Sequence, residues 1–151
     1  MPTLFLMRHA QAAGSGPDGT DHSRPLTDRG RRDAAAMAAH IAAAGPIDAV
    51  VASDAVCTGQ TAAEVVAATA ATEFRLDPRL YNAPVAVWHD VVVDFDPAWQ
   101  RVVAVGHNPA VAELINRLST SVAVPPGTVA TIELDSWDTL DGGSLTLVDT
   151  P

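Results

Sequence analysis

Two histidines stand directly after short apolar runs: Thr3 to Met7 leads into Arg8-His9-Ala10, and Arg101 to Val105 leads into Gly106-His107-Asn108-Pro109. An imidazole titrates close to neutrality, so a facing pair of them is suited to chemistry at physiological pH. Both runs have the length and apolar character of buried strands. In open α/β sheets the ligand crevice lies outside the carboxyl ends of the strands, so His9 and His107 can converge there despite the sequence between them. A single histidine in a turn is more often a hydrogen-bonding surface residue; it is the shared position at strand ends that lifts this pair above that reading.

The elements that must carry them follow from pattern and punctuation. Gly14 to Gly19 reads as a loop. Thr27 is placed to cap a helix running through Arg31, Ala36 and Ile41, which Gly45-Pro46 would stop. Asp48 to Ser53 reads as a strand, Thr58 to Ala70 as an alanine-rich helix with Val65 and Val66 inward, and Phe74 to Leu76 as a short strand. From Pro84 to Phe95 the triple valine favours a strand, but Trp88, Val91, Val92 and Phe95 recur at helical spacing, and helix is the preferred reading. Pro109 suits the first turn of a helix through Leu118, and Thr128 to Leu134 and Ser144 to Val148 read as strands joined through Asp141-Gly142-Gly143. Strands alternating with helices imply an α/β fold: one domain over residues 1–151, a three-layer α/β/α sandwich with a mainly parallel sheet.

Composition narrows the partners. The net charge is −9, which disfavours nucleic acid and anionic membrane, because both call for a basic face. No apolar run approaches the ~20 residues of a membrane span, and no ordered signal-peptide regions open the chain, so a cytoplasmic protein is expected. Cys57 is the lone cysteine and has neither a disulfide partner nor a CxxC companion. All nine basic residues are arginine, and five of them (Arg8, Arg24, Arg29, Arg31 and Arg32) fall in the first 32 positions, largely offset by Asp18, Asp21, Asp28 and Asp33. Trp99 and Trp137, if exposed, would mark an interface or pack locally; the oligomeric state stays open.

Four ordered segments carry a resemblance. Leu6-Met7-Arg8-His9-Ala10, then Arg24-Pro25-Leu26-Thr27 with Gly30, then Ser53 with Gln60-Thr61-Ala62, then Gly106-His107-Asn108-Pro109 together resemble the histidine phosphatase superfamily, the phosphoglycerate-mutase-like proteins. The short length and the Arg-Pro-Leu-Thr segment look most like the SixA-type phosphohistidine phosphatases. The resemblance implies a phosphatase that acts through a phosphohistidine on His9. Arg8 and Arg24 would bind the phosphoryl oxygens through paired guanidinium donors, and a protonated His107 would stabilise charge on the group in transfer. It implies no cofactor and no metal, in keeping with the absence of an HExxH or similar ligand cluster. A metal-dependent hydrolase is poorly supported by the histidine spacing. The implied substrate is a phosphorylated small molecule or a phosphohistidine-containing protein, with selectivity in the loops from Gly14 to Ser23 and from Tyr81 to Val87.

One departure matters. The family usually places an arginine of the phosphate pocket four positions after the serine, and this chain has Cys57 there. Loss of one preorganised donor typically costs about 10²–10³-fold in rate. Arg79 is the candidate replacement, reaching the pocket from an adjacent loop. The alternative function is a degenerate phosphate-binding module with little turnover. Asp77 and Glu73 are weak candidates for a general acid, better read as ordinary strand-end charges, and His22, His40 and His89 read as structural or exposed. Cys57 itself, without a basic partner in the sequence, reads as a small inert residue.

Overall fold

Alternation along each central strand sorts the core into two sheets of side chains. In the computed structural model, which describes residues 1–119 and 121–151, strand β1 spans Thr3–Arg8; Leu4 and Leu6 face one side while Phe5 and Met7 face the other. Five further strands complete one sheet: β2 (Ala49–Ala52), β3 (Glu73–Leu76), β4 (Arg101–Gly106), β5 (Val129–Glu133) and β6 (Ser144–Asp149), in the order β3-β2-β4-β1-β5-β6. The β3-β2, β2-β4 and β4-β1 pairs are parallel, whereas β5 and β6 join as an antiparallel margin.

Helices α1 (Asp28–Ala43) and α2 (Val56–Thr69) cover one face, packing Met37, Ala38, Ile41, Ala62 and Val65 against Phe5, Met7, Val50 and Val103. Helices α3 (Val85–Val93) and α4 (Ala110–Arg117) cover the other, with Trp88, Val91, Val92, Val111, Leu114 and Ile115 on Leu4, Leu6, Val51 and Val102. This is the expected three-layer α/β/α arrangement with a mainly parallel sheet. Helix length from Pro84 onward is decided by the spacing of Trp88, Val91, Val92 and Phe95, all of which are buried; an extended chain would have turned half of them to solvent.

Several expectations shift. The helix read from Thr58 starts at Val56, which puts Cys57 inside its first turn. Val65 is fully buried while Val66 is only partly so. Strand β3 is exposed along its whole length, as an outer strand with Phe74 and Leu76 largely in solvent. Trp99 and Trp137 are buried rather than exposed: the indole Nε1–H of Trp137 donates to the Trp99 carbonyl at 2.8 Å, and both rings pack on Phe95. Both rings therefore pack locally, and the Trp137 indole, satisfied by a backbone acceptor, loses the polar reason for reaching water. Among the described residues no helix is long and apolar enough to cross a membrane.

Candidate active site

Strands β1 and β4 run in parallel register with Arg8 opposite Gly106, and the His9 N–H donates to the Gly106 carbonyl at 3.0 Å. The residues that follow, His9 and His107, are thereby set side by side, their ring centroids 5.3 Å apart and their planes inclined by 60°. Gly106 permits this. A Cβ there would collide with the indole of Trp88, which fills the space beneath the strand end.

The protonation of each ring can be derived from its partners. His9 places Nδ1 2.7 Å from the Ala10 carbonyl. A carbonyl only accepts, so Nδ1 carries the proton and the lone pair sits on Nε2. His107 places Nε2 2.7 Å from the Ser53 hydroxyl, which lies 2.6 Å from the Thr58 hydroxyl. Thr58 donates its single proton toward the carbonyls of Ser53 and Ala55, at 2.9 and 3.0 Å. With the Thr58 proton on a backbone carbonyl, Ser53 donates to Thr58 and accepts from His107, an arrangement that puts the proton of the neutral His107 ring on Nε2. Burial depresses the pKa of both rings. For His9 the Ala10 hydrogen bond opposes this, while Arg8 and Arg24 add to it. For His107 burial and then the neighbouring His9 bring the value down to about 4, with Asp21 opposing. His107 is therefore neutral near pH 7 in the free protein, and the protonated form expected during transfer calls for an anion between the rings, which would raise its pKa.

The two arginines are held differently. Arg8 donates from Nη1 to the Val124 carbonyl at 3.0 Å, and its buried Nε has no partner among the described residues, leaving a desolvated donor suited to an oxyanion. Arg24 is anchored through Nε to the Ala13 carbonyl and through Nη1 to Asp21. The short 3₁₀ turn Asp21–Ser23, capped by Thr20, presents it. Helix α1 abuts the segment that follows β1 because Gly30 has no side chain: a Cβ would run into the Gln11 carbonyl. Helix α2 ties both loops together, Gln60 accepting from the Leu26 N–H and Thr61 from the Ala10 N–H while Thr61 donates to the Cys57 carbonyl.

Sequence reasoning missed a wall of the site. The Tyr81 hydroxyl donates to Asp21 at 2.7 Å, its ring meets His107 edge-on at 5.4 Å, and His22 packs on Tyr81 while pairing with Asp54 at 3.1 Å. Tyr81 and Asp21 belong to the two loops read as selectivity segments, so those loops meet over the histidines. Nothing in composition marks the pairing; it arises from loops 60 residues apart. The role of Ser53 and Thr58 was likewise unassigned, although Ser53 belongs to one of the four ordered segments. A cleft of about 300 Å³ opens beside His107, lined by Asn82, Pro84, Asn108, Pro109 and Glu113 among others.

Arg79 does not join this group. It is bound to both carboxylate oxygens of Asp77 and to Asp94 at 2.8 Å. Several charge-assisted bonds would have to break before it could move to the histidines, so the expected replacement for the missing arginine is not supplied by this residue. Asp77 is held ionised by the same contact, and Glu73 lies exposed on β3 beside Arg75. Cys57 does face the site: its sulfur and one ring nitrogen from each of His9 and His107 lie within 4.8 Å of one another. Burial raises its thiol pKa, which keeps it protonated and poorly nucleophilic.

The fold and this constellation agree with a family model for the histidine phosphatase superfamily (branch 1), which matches residues 4–100. The chain belongs to that superfamily, and its function is of the histidine-phosphatase type, that of a phosphatase. Among solved structures it is similar to the putative phosphohistidine phosphatase SixA from Nakamurella multipartitia, with 31% identity and a TM-score of 0.82 over 99% of this chain and 96% of that one. It shares its fold with a protein histidine phosphatase SixA complexed with tungstate (22% identity, TM-score 0.81, 98% and 96% covered). The same holds for a mycobacterial glucosyl-3-phosphoglycerate phosphatase complexed with VO3 (19% identity, TM-score 0.74, all of both chains covered). A search of curated proteins finds no match.

Proposed function

We propose that this chain hydrolyses phosphorylated substrates without a metal, through a phosphohistidine formed on Nε2 of His9. The observation that carries this reading is the pair of facing imidazoles, 5.3 Å apart, beside a buried arginine donor with no partner among the described residues. His9 is neutral, and its lone pair is fixed on Nε2 by the Ala10 carbonyl, the form needed for in-line attack on phosphorus. The P–O or P–N bond to the leaving group breaks as the N–P bond forms, and water then displaces His9 to release phosphate. Arg8 and Arg24 bind the non-bridging oxygens. His107 takes up a proton when the anion raises its pKa and donates to the oxygens as charge shifts.

A phosphohistidine in a protein is the favoured substrate class. Asp21 and Asp77 are both held ionised, Asp21 by the Tyr81 hydroxyl and Arg24 and Asp77 by Arg79, so neither is poised to protonate an alkoxide leaving group. An imidazole leaves phosphorus more readily than an alkoxide and needs less help. The cleft beside His107 is open enough to admit a side chain presented from another protein. The test compares hydrolysis of a phosphohistidine peptide with that of an alkyl phosphate in the presence of chelator. Faster turnover of the peptide, unaffected by chelator and abolished by His9→Ala, is expected. Wild-type turnover in His9→Ala would remove the nucleophile from the scheme.

The second reading, a phosphate-binding module with little turnover, draws on Cys57, which faces the histidines where a further cation would strengthen the pocket. It predicts phosphate binding by the wild-type protein with no hydrolysis of either substrate.

A further inference from the structure

Among the described residues one group of side chains has the composition of a metal site: His9, Cys57 and His107, whose donor atoms lie within 4.8 Å of one another. We propose that these three residues bind a borderline-soft divalent cation, Zn²⁺ above all, and that the bound metal blocks the site against phosphate. The metal would act as an inhibitor, outside the catalytic cycle. The coordination claim stands on the three side chains alone; only the competition with phosphate rests on the function proposed above.

Two imidazoles and one thiolate suit zinc by ligand type, and Cys57, the sole sulfur donor of its kind in the chain, excludes hard cations such as Mg²⁺ from favour. Tetrahedral zinc with bonds of ~2.0–2.3 Å sets its ligands ~3.3–3.7 Å apart, so no pair of the three atoms needs to close by more than about 1.5 Å, within reach of side-chain rotation. The Ala10 carbonyl holds Nδ1 of His9 and Ser53 holds Nε2 of His107, so a metal would take Nε2 of His9 and Nδ1 of His107 on rings already oriented, as histidine ligands of zinc usually are. On binding, Cys57 forms the S–Zn bond and releases its thiol proton to water. Water, or an anion, completes the fourth position from the cleft beside His107. Arg8 and Arg24 oppose a cation here. Part of that opposition is removed by the ion pair of Arg24 with Asp21 at 2.9 Å, and the thiolate supplies a compensating negative charge.

Cobalt(II) reports this chemistry directly, since a thiolate ligand gives a near-ultraviolet charge-transfer band and tetrahedral geometry an intense visible spectrum. Titration of the metal-free protein with Co²⁺ should produce both at one equivalent, with Zn²⁺ displacing the cobalt. Cys57→Ser should lose the charge-transfer band and weaken zinc binding at least tenfold, and Cys57→Arg should abolish binding by placing a fixed positive charge among the ligands. His107→Gln provides the independent check and should also weaken binding tenfold or more. A wild-type spectrum without the thiolate band, or zinc affinity unchanged in Cys57→Ser and His107→Gln, overturns the site. If the cobalt spectrum appears as described but saturating phosphate does not compete, the coordination site stands, while its inhibitory role and the placing of phosphate between the rings both fail.

Discussion

Ser53 makes no contact that requires a substrate, yet it decides which nitrogen of His107 holds the proton. Ser53→Ala should lower kcat with little change in KM. The expected loss is about tenfold, from a hydrogen bond worth roughly 1.5 kcal/mol. Ser53→Thr, which keeps the hydroxyl, should restore much of it, which a purely packing role for the side chain would not predict. Cys57→Arg is the opposite kind of change: a fixed cation facing the two rings should raise kcat/KM for phosphorylated substrates, by up to ~10²-fold. No rise in activity and no tighter phosphate binding would show that position 57 does not contact the anion. Proton bookkeeping offers a third check. His107 is neutral in the free protein near pH 7, its pKa lowered to about 4, so anion binding should draw a proton from solution. Calorimetry of phosphate binding in buffers of different ionisation enthalpy should find greater proton uptake in the wild type than in His107→Gln.

The elements that hold the site are mostly visible in sequence because each obeys a local rule. The strands before His9 and His107 are apolar runs, Thr27 caps α1 by accepting from the Gly30 N–H at 3.0 Å, and Gly45 ends that helix region with a φ of +123°. What the local rules do not contain is contact between distant loops. Tyr81 with Asp21, and Gln60 and Thr61 with the loops of Leu26 and Ala10, are long-range pairings without periodicity, and Arg79 was misplaced because its carboxylate partners were not foreseeable as neighbours. Trp88 is a further example. Its burial follows from helical spacing, but its role as the floor under Gly106 appears only when α3 is docked on β4. Gly106→Ala should therefore force a displacement of the indole or the strand end and lower stability by roughly 1–3 kcal/mol, read as a fall in Tm, with activity reduced through the adjoining His107.

Across the whole molecule, the neutral histidines couple folding to pH. When the chain unfolds, His107 regains its ordinary pKa of 6.5 from a folded value of about 4, and His9 shifts in the same sense. The unfolded chain binds more protons in that interval, so the contribution to stability is complete above pH 6.5 and is lost as pH falls toward 4. Scanning calorimetry without phosphate should show Tm declining over this window, and less steeply in His107→Asn. Asp21 and Asp77, with pKa values below the ordinary 3.8, weaken the fold only at more acidic pH, which keeps the two effects separable. The parallel ladder between β1 and β4 carries one more consequence. Because the interval between the two imidazoles is set by main-chain pairing, mutations that loosen the distant core should erode thermal tolerance long before they misalign the reacting groups. Inserting one residue at the carboxyl end of either strand, beyond its buried run, should do the reverse: it would rotate a ring to the opposite side of its backbone and silence a protein whose core is untouched.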